Sequence, residues 1–271
     1  MLLPLLLAIS LASGQTTQDP PQTPVGISTA AVEDAPSPEQ WLAEVDARAA
    51  QLTSLRYSAT RSTTRPSAEG HQTTVEERWR FILQGNKFRI DYFGDTARQI
   101  TSDGAVLLDY VPANGRAMRH HLARMSAEDQ AKLVRGILER VSVPGFRVGV
   151  AEGVTWSTGA LTRDQDRDVV ELLGVSADGN SLRYVIDRER ASVLVSEIFQ
   201  GDKLVLRTTS SDQVEIIPGT WFPRQVELQV PERGGLATVS MRLTKVSGVG
   251  DIPPELFQPV LDSSVPIEEV P

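Results

Sequence analysis

The stretch of sequence that decides the fold is VEERWRFILQGNKFRIDY, residues 75–92. Every second residue from Val75 to Leu83 forms one face, and the alternation resumes with Phe88, Ile90 and Tyr92 after a Gln-Gly-Asn turn. Side chains of a strand point to opposite faces in turn, so this period of two predicts strands with one apolar face. The glycine-containing turn between the two runs predicts that they pair as a hairpin.

The same alternation continues on both sides of this hairpin. Leu55, Tyr57 and Ala59 form an apolar face upstream, while Ile100 and, beyond the Asp103-Gly104 turn, a further run follow downstream. More strand signals, separated by Gly, Pro, Asn and Asp, lie at residues 106–110, 169–175, 182–186, 193–199, 204–208, 221–230 and 237–246. The pattern predicts about ten or eleven strands in one antiparallel sheet.

Two helices are predicted within this strand pattern. Ser37, Pro38 and Gln40 form a capping signature before the apolar stripe Trp41, Val45, Ala49 and Leu52. The second helix begins after Ser126 and ends before Pro144-Gly145. Its predicted apolar face comprises Leu133, Val134, Ile137, Leu138 and Val141.

Composition restricts the class of protein. The chain has 271 residues, which suits one large β domain, and 40% hydrophobic residues, which suits a buried core. A net charge of -8 with no basic block argues against nucleic acid as a partner. The chain has no cysteine, so disulfides, thiolate metal sites and a cysteine-linked lipid anchor are excluded.

The N-terminal part has a different composition from the rest. Residues 2–11 are mostly apolar and are followed by Ala-Ser-Gly, which predicts a signal peptide over residues 1–14. Residues 15–36 are rich in Gln, Thr, Pro and Ala, which predicts a disordered linker. We therefore expect a single lipid-binding domain over residues 37–271, exported to the periplasm without a lipid anchor.

A sheet of this many strands twists and curls, so one face becomes concave. The two amphipathic helices would cover that face, and a hollow beneath them would suit an apolar ligand. A core packed with its own side chains would give the same periodicity and stays an alternative. The candidate lipid-binding residues are Val75, Trp79, Phe81, Phe88, Ile90, Leu108, Tyr110, Leu133, Ile137, Val226 and Met241.

The order of these signals resembles the LolA/LolB-like periplasmic lipoprotein carriers, a family that sorts outer-membrane lipoproteins. The residues that carry the resemblance are 41–55, 79–83, 87–92, Ser102-Asp103-Gly104, Tyr110-Val111-Pro112 and the proline-rich tail 253–267. The resemblance implies an α+β fold, a half-open antiparallel barrel with helices over its concave face.

It also implies that the chain shields acyl chains of lipids or lipoproteins as a monomer, between an inner-membrane export complex and an outer-membrane acceptor. Two features depart from the family pattern: Gln84-Gly85 stands where a basic residue is expected, and the region 141–163 is extended. The chain therefore resembles the LolA/LolB-like family as a divergent member would.

No catalytic or cofactor chemistry is predicted. His120 and His121 are adjacent, so on a strand they face opposite sides, which does not suit one metal. Asp164, Asp166 and Asp168 lack the glycine and glutamate of a calcium loop and predict a charged hairpin turn. No nucleophile elbow or nucleotide-binding glycine pattern accompanies them.

Three arginines alternate with the aromatic residues of the central hairpin. Arg78, Arg80 and Arg89 are therefore predicted on the outer face of the sheet, either in ion pairs with Glu76 or Asp91 or as a docking patch for acidic groups. The sequence favours a lipid carrier or chaperone. The alternative function is an envelope-stress sensory module of the same fold.

Overall fold

The computed structural model describes residues 36–67, 69, 71–95, 97–146, 148, 153–164, 167–232, 235–248, 250–259 and 261–270. The predicted signal peptide and all of the predicted linker except Pro36 lie outside the described residues. No helix in the described ranges is both long and apolar enough to cross a bilayer.

Two helices and fourteen strands are found among the described residues. The helices are α1 (Pro38–Ala50) and α2 (Ala127–Leu138). The first seven strands are β1 (Ser54–Pro66), β2 (Gln72–Gln84), β3 (Lys87–Phe93), β4 (Arg98–Ser102), β5 (Val106–Val111), β6 (Arg116–His121) and β7 (Val154–Asp164). The others are β8 (Arg167–Ser176), β9 (Asn180–Asp187), β10 (Ser192–Gln200), β11 (Lys203–Ile217), β12 (Thr220–Glu232), β13 (Gly235–Ser247) and β14 (Ile267–Val270).

All fourteen strands belong to one sheet, in the order β14-β6-β5-β4-β3-β2-β1-β13-β12-β11-β10-β9-β8-β7. Strands β1 to β6 form one meander and β7 to β13 another, and the pairing of β1 with β13 joins them. Among the described strands, only β14 pairs in parallel with its neighbour, β6. The sheet ends at β14 and β7, so the predicted unclosed antiparallel barrel with covering helices is confirmed.

This topology explains why α2 crosses the concave face. The strand before it, β6, lies near one end of the sheet, whereas the strand after it, β7, forms the other end. The chain must pass from one end of the sheet to the other, and α2 lies in that passage. Its apolar side chains pack on the inner face and so cover the central strands.

Helix α1 covers the remaining part of the inner face. The Ser37 side chain accepts a hydrogen bond from the backbone N–H of Gln40, and the Gln40 side chain accepts from the Ser37 N–H, as the capping box predicts. Leu42 and Val45 pack against strands β7 to β10. Trp41, predicted in the stripe, lies at the margin of that cluster, while Leu42 is fully buried.

The strand count differs from the prediction of ten or eleven. Strands β6, β7 and β14 were not expected, because their sequences lack a clean apolar alternation. All three lie at or next to an end of the sheet, where one side of the strand pairs with nothing or with a short segment. Backbone hydrogen bonds form such strands with little side-chain burial, so the apolar pattern is weak.

The outer face is partly covered by the C-terminal segment. Ile252 and Phe257 pack on Ile82 of β2, and Arg89 donates a hydrogen bond to the Leu256 carbonyl oxygen. The chain then reaches β14, which pairs with β6. Part of the sheet is thus buried on both faces, which is unusual for an antiparallel sheet with one solvated side.

Candidate functional site

The inner face of the central strands carries an aromatic and aliphatic cluster. Trp79 pairs with Tyr92, and Phe81 with Ile90, across β2 and β3. Tyr57 lies opposite Phe81, with ring centroids 5.2 Å apart. The cluster also contains Phe88, Ile100, Leu107, Leu122, Phe222, Val226, Met241 and Leu243, and all of these side chains are buried. This surface is the apolar floor of the inner face.

Helix α2 covers this floor without being embedded in it. Leu133, Val134, Ile137 and Leu138 pack on the cluster, yet none of the helix residues is fully buried. By contrast, Leu122 before the helix and Val141 after it are almost completely buried. The helix is thus held at its two ends and lies on the floor through half-buried side chains.

Two polar contacts hold the C-terminal end of α2. The hydroxyl of Tyr57 donates a hydrogen bond to the Val141 carbonyl oxygen, in the buried cluster. Arg61 donates to the Arg140 carbonyl oxygen at 3.3 Å and to the Glu77 carboxylate at 2.9 Å. The Arg61 guanidinium also lies 5.3 Å from the centre of the Trp79 ring. Both contacts are made to backbone carbonyl oxygens. They therefore fix the position of this end of α2 whatever side chains it carries.

Burial determines the protonation of the tyrosines. Desolvation raises the pKa of Tyr57, so its hydroxyl stays protonated and acts as a donor at neutral pH. Desolvation also raises the pKa of Tyr92, although Arg140, Arg98 and Arg61 nearby oppose the shift. The tyrosine hydroxyls at the floor are therefore uncharged near neutral pH.

Most of the eleven predicted lining residues lie together. Trp79, Phe81, Phe88, Ile90, Val226 and Met241 belong to the floor, and Leu133 and Ile137 of α2 face it. Val75 lies on the inner face too, but at the open end of β2, where its side chain is 56% exposed. A lipid-binding role for these residues stays a prediction.

Leu108 and Tyr110 lie elsewhere. Phe88 pairs with Ser102, and Ser102 pairs with Leu107. Leu107 is therefore the leucine of β5 that lies on the inner face with Phe88. Leu108 and Tyr110 are on the outer face, which differs from the prediction. The reason is that β5 is buried on both sides, so its apolar pattern does not distinguish the faces.

Some residues of the site had no part in the predicted lining. Tyr57 had a usable signal, because it alternates with Leu55 and Ala59, and its hydroxyl gives it a second role. Phe222 also had a usable signal, because it shares the face of Val226 in a predicted strand, whereas Phe146, whose ring centroid lies 4.6 Å from that of Phe222, is in a segment without a clear period. Arg61 reads as an ordinary polar strand residue, and only its long-range contact with Arg140 reveals its place.

Two cavities lie away from this floor. One, beneath α1, has a volume of about 10 Å³, room for one water molecule. The other is a groove of about 340 Å³ on the outer face, between β4, β5 and β6 and the C-terminal segment. Leu108, Val106, Arg119, His121 and Phe257 are among the residues that line it.

The charged residues singled out in the sequence lie either in ion pairs on the outer face or in the paired strands β7 and β8. Arg80 and Arg89 both contact the Asp91 carboxylate on the outer face, as predicted, so their charges are partly compensated. Asp164 lies opposite Arg167 in the backbone register of β7 and β8. Within the described ranges, no group of three or more His, Asp or Glu side chains is placed to hold a metal ion.

Comparison with solved structures shows which fold this is. A DUF1329 family protein from Desulfovibrio piger superposes with a TM-score of 0.50 at 15% identity, over 80% of this chain and 96% of that one. The chain shares its fold. A LolA superfamily protein from Nitrosomonas europaea gives a TM-score of 0.48 at 13% identity, over 83% of this chain and 99% of that one.

A putative outer membrane lipoprotein-sorting protein domain from Vibrio parahaemolyticus gives a TM-score of 0.47 at 14% identity, over 76% and 89% of the two chains. No protein-family model and no curated protein matches the sequence. Identities this low do not establish a shared ligand.

Proposed function

We propose that this chain is a carrier or chaperone that binds the acyl chains of lipids or lipoproteins beneath α2, in the periplasm. Lipoprotein sorting is the role attributed to the Vibrio parahaemolyticus domain. For this chain the proposal is supported by the apolar floor and the helix that covers it. The observation that carries it is a fully buried aromatic floor covered by a helix that has no fully buried residue of its own.

An acyl chain that enters beneath α2 would displace the helix side chains from the floor, because both cover the same apolar surface. The helix contributes four half-buried apolar side chains, Leu133, Val134, Ile137 and Leu138. Burying ten methylene groups of a lipid would contribute about 8 kcal/mol, at about 0.8 kcal/mol each. That is the free energy of a micromolar complex before the costs of ordering the lipid and of displacing the helix contacts are subtracted.

Binding of this kind needs no bond-making step. The charged groups on this face pair with each other, Arg98 with Asp109 and Arg61 with Glu77, and the hydroxyl of Tyr57 is occupied by the Val141 carbonyl. Arg61 and Glu77 lie at the edge of the floor, beside the end of α2, where the polar head of a lipid would remain in water. We infer a binding protein that receives its cargo from an inner-membrane export complex and passes it to an outer-membrane acceptor.

The first experiment asks whether lipid is present. The protein would be purified from the periplasm of its host and analysed by native mass spectrometry, with uptake of a fluorescent fatty acid measured in parallel. Co-purifying lipid together with saturable uptake supports the carrier. A clean apo mass with no uptake contradicts it and leaves the alternative, a sensory module that recognises another protein.

The second experiment asks whether α2 moves. Because the chain has no cysteine, a single Gly136→Cys substitution on the exposed side of α2 gives one labelling position, and a side chain there meets no atom within 4 Å. An environment-sensitive fluorophore at this position should change its emission when fatty acid binds. The matched control is Lys203→Cys, exposed on the β10–β11 hairpin, whose label should not respond. Equal responses at both positions would contradict movement of α2.

A further inference from the structure

The β6 end of the sheet is basic, and the strand that covers it is acidic. Strand β6 carries Arg116, Arg119, His120 and His121, whereas β14 carries Glu268 and Glu269. The Glu269 carboxylate is bound from two sides, by Arg119 at 2.8 Å and by the His121 ring nitrogen Nε2 at 2.9 Å. These two side chains form a clamp for one carboxylate.

Strand β14 is attached weakly to this edge. It has four residues, three of them exposed, and its parallel pairing with β6 extends from Ala117 to His120. Ion pairs between exposed side chains contribute little, and the Glu269 side chain is 52% exposed. Detachment of β14 would leave β6 paired with β5, so the rest of the sheet would persist.

The outer groove continues from the same edge. Glu269 lies opposite Arg119, and both face outward with Leu108, which floors the groove. In a parallel strand of this register, the next outward-facing side chain, two residues further on, would lie beside His121 and Val106. That position opens into the groove of about 340 Å³, whose wall includes Phe257.

We propose that the β6 edge is a docking site for an extended segment of a partner protein, with an acidic residue followed two positions later by an apolar one. The segment adds to the sheet as a parallel strand in place of β14. Its carboxylate occupies the clamp of Arg119 and His121, and its apolar side chain enters the outer groove. Strand β14 is then a resident competitor that keeps the edge covered until the partner is present.

Strand addition accounts for both parts of this site. Backbone hydrogen bonds to β6 supply affinity for any extended segment, and the side-chain sites select among segments. The basic character of β6 selects acidic segments, since a like charge beside Arg119 would be repelled. The acidic sequence of β14 in the same place is the evidence for that preference.

A binding experiment with the full chain tests the proposal. The probe is a fluorescein-labelled, amidated peptide Val-Pro-Ile-Glu-Glu-Val-Leu, which repeats residues 265–270 and carries the apolar leucine in place of Pro271. Fluorescence anisotropy would be measured with the wild-type chain and with Glu269→Gln, which weakens the resident strand. We expect several-fold tighter binding of the peptide to Glu269→Gln than to the wild-type chain, in keeping with the small contribution of a partly exposed ion pair.

Two altered peptides serve as controls that leave the protein unchanged. One has lysine in place of the second glutamate, and the other has serine in place of the final leucine. Both should bind Glu269→Gln at least tenfold more weakly, and Arg119→Glu in that background should reverse the preference between the glutamate and lysine peptides. Equal binding of all three peptides, or no binding, overturns the proposal. So does a concentration-dependent dimer of Glu269→Gln that the peptide does not disrupt, because the edge is then taken by a second copy of this chain.

Discussion

The hydroxyl of Tyr57 in β1 donates a hydrogen bond to the carbonyl oxygen of Val141, just beyond α2. The two residues are 84 positions apart, and both are almost completely buried. This bond ties the end of the covering helix to the centre of the sheet. It therefore links the stability of the fold to how firmly α2 covers the floor.

Removing this bond should loosen α2. The substitution Tyr57→Phe leaves the Val141 carbonyl buried without its partner, which costs about 1 to 3 kcal/mol. We expect a lower free energy of unfolding in urea and faster uptake of a fluorescent fatty acid. Tyr110→Phe, on the outer face, is the matched control and should change neither quantity. If Tyr57→Phe takes up fatty acid at the wild-type rate, this bond does not control opening.

The same hydroxyl predicts a loss of stability at alkaline pH. Burial raises the pKa of Tyr57 from its ordinary value of 10.0, so the folded state holds the proton more tightly than the unfolded state. The contribution of the protonated Tyr57 hydroxyl to the free energy of unfolding is complete below pH 10. It is lost as the pH rises above 10, by up to about 1.4 kcal/mol per pH unit. Burial raises the pKa of Tyr92 and Tyr184 in the same direction, so the wild-type decline is shared.

Urea unfolding between pH 9 and about pH 11.5 measures this decline. Tyr57→Phe should show a shallower fall in the free energy of unfolding than the wild-type chain, by the share of one proton. An identical slope in the two proteins would mean that Tyr57 is ionised as easily in the folded protein as in the unfolded one.

The second contact at the end of α2 should affect opening more than stability. Arg61→Gln removes the ion pair with Glu77 and the strong donor to the Arg140 carbonyl, both at the partly exposed edge of the floor. Exposed pairs of this kind contribute less than about 1 kcal/mol. We expect several-fold faster amide hydrogen exchange in α2 and faster fatty acid uptake, with little change in unfolding.

Arg65→Gln gives the control on the same strand. Arg65 is exposed and lies 4.0 Å from Glu232, far along β1 from α2. Exchange in α2 should remain at the wild-type rate in this variant. If exchange in α2 is accelerated equally in the two variants, loss of positive charge, and not loss of the contact with Arg140, causes the acceleration.

Two glycines give opposite predictions for the same substitution. Gly136 lies within α2, and a Cβ atom there would meet nothing within 4 Å, so Gly136→Ala should stabilise the protein by about 0.5 to 1 kcal/mol. A Cβ atom on Gly174 of β8 would lie 2.7 Å from the Trp156 ring, so Gly174→Ala should destabilise by about 1 to 3 kcal/mol. Thermal unfolding of both variants checks the two signs, and a stabilised Gly174→Ala would mean that Trp156 repacks freely.

The helices and central strands were predictable because their signals are local. The capping box of α1 needs only Ser37 and Gln40, and the inner face of β2 and β3 needs only the alternation around Trp79 and Phe88. The faces of β5 were not predictable, because Leu107 and Leu108 are both buried. Leu108 is buried in a part of the sheet where the C-terminal segment, some 150 residues later, forms the wall of the groove.

The contacts that position α2 were beyond local patterns as well. Arg61 and Arg140 are 79 residues apart, and nothing in either neighbourhood indicates their contact. The edge strands β7 and β14 depend on backbone pairing with partners that the sequence does not specify through apolar side chains. Long-range backbone contacts therefore account for most of the differences between prediction and structure.

The pairing of β1 with β13 has a consequence for how the chain is made. Arg56 and Ser247 meet across this pair, so about two thirds of the chain must be synthesised between the two strands. Until β13 emerges, the first meander has an unpaired edge at β1, and such edges favour aggregation. Folding is therefore slow to complete, because β1 finds its second neighbour only after β13 has been synthesised. A chain released early would lose the centre of its sheet, not merely one end.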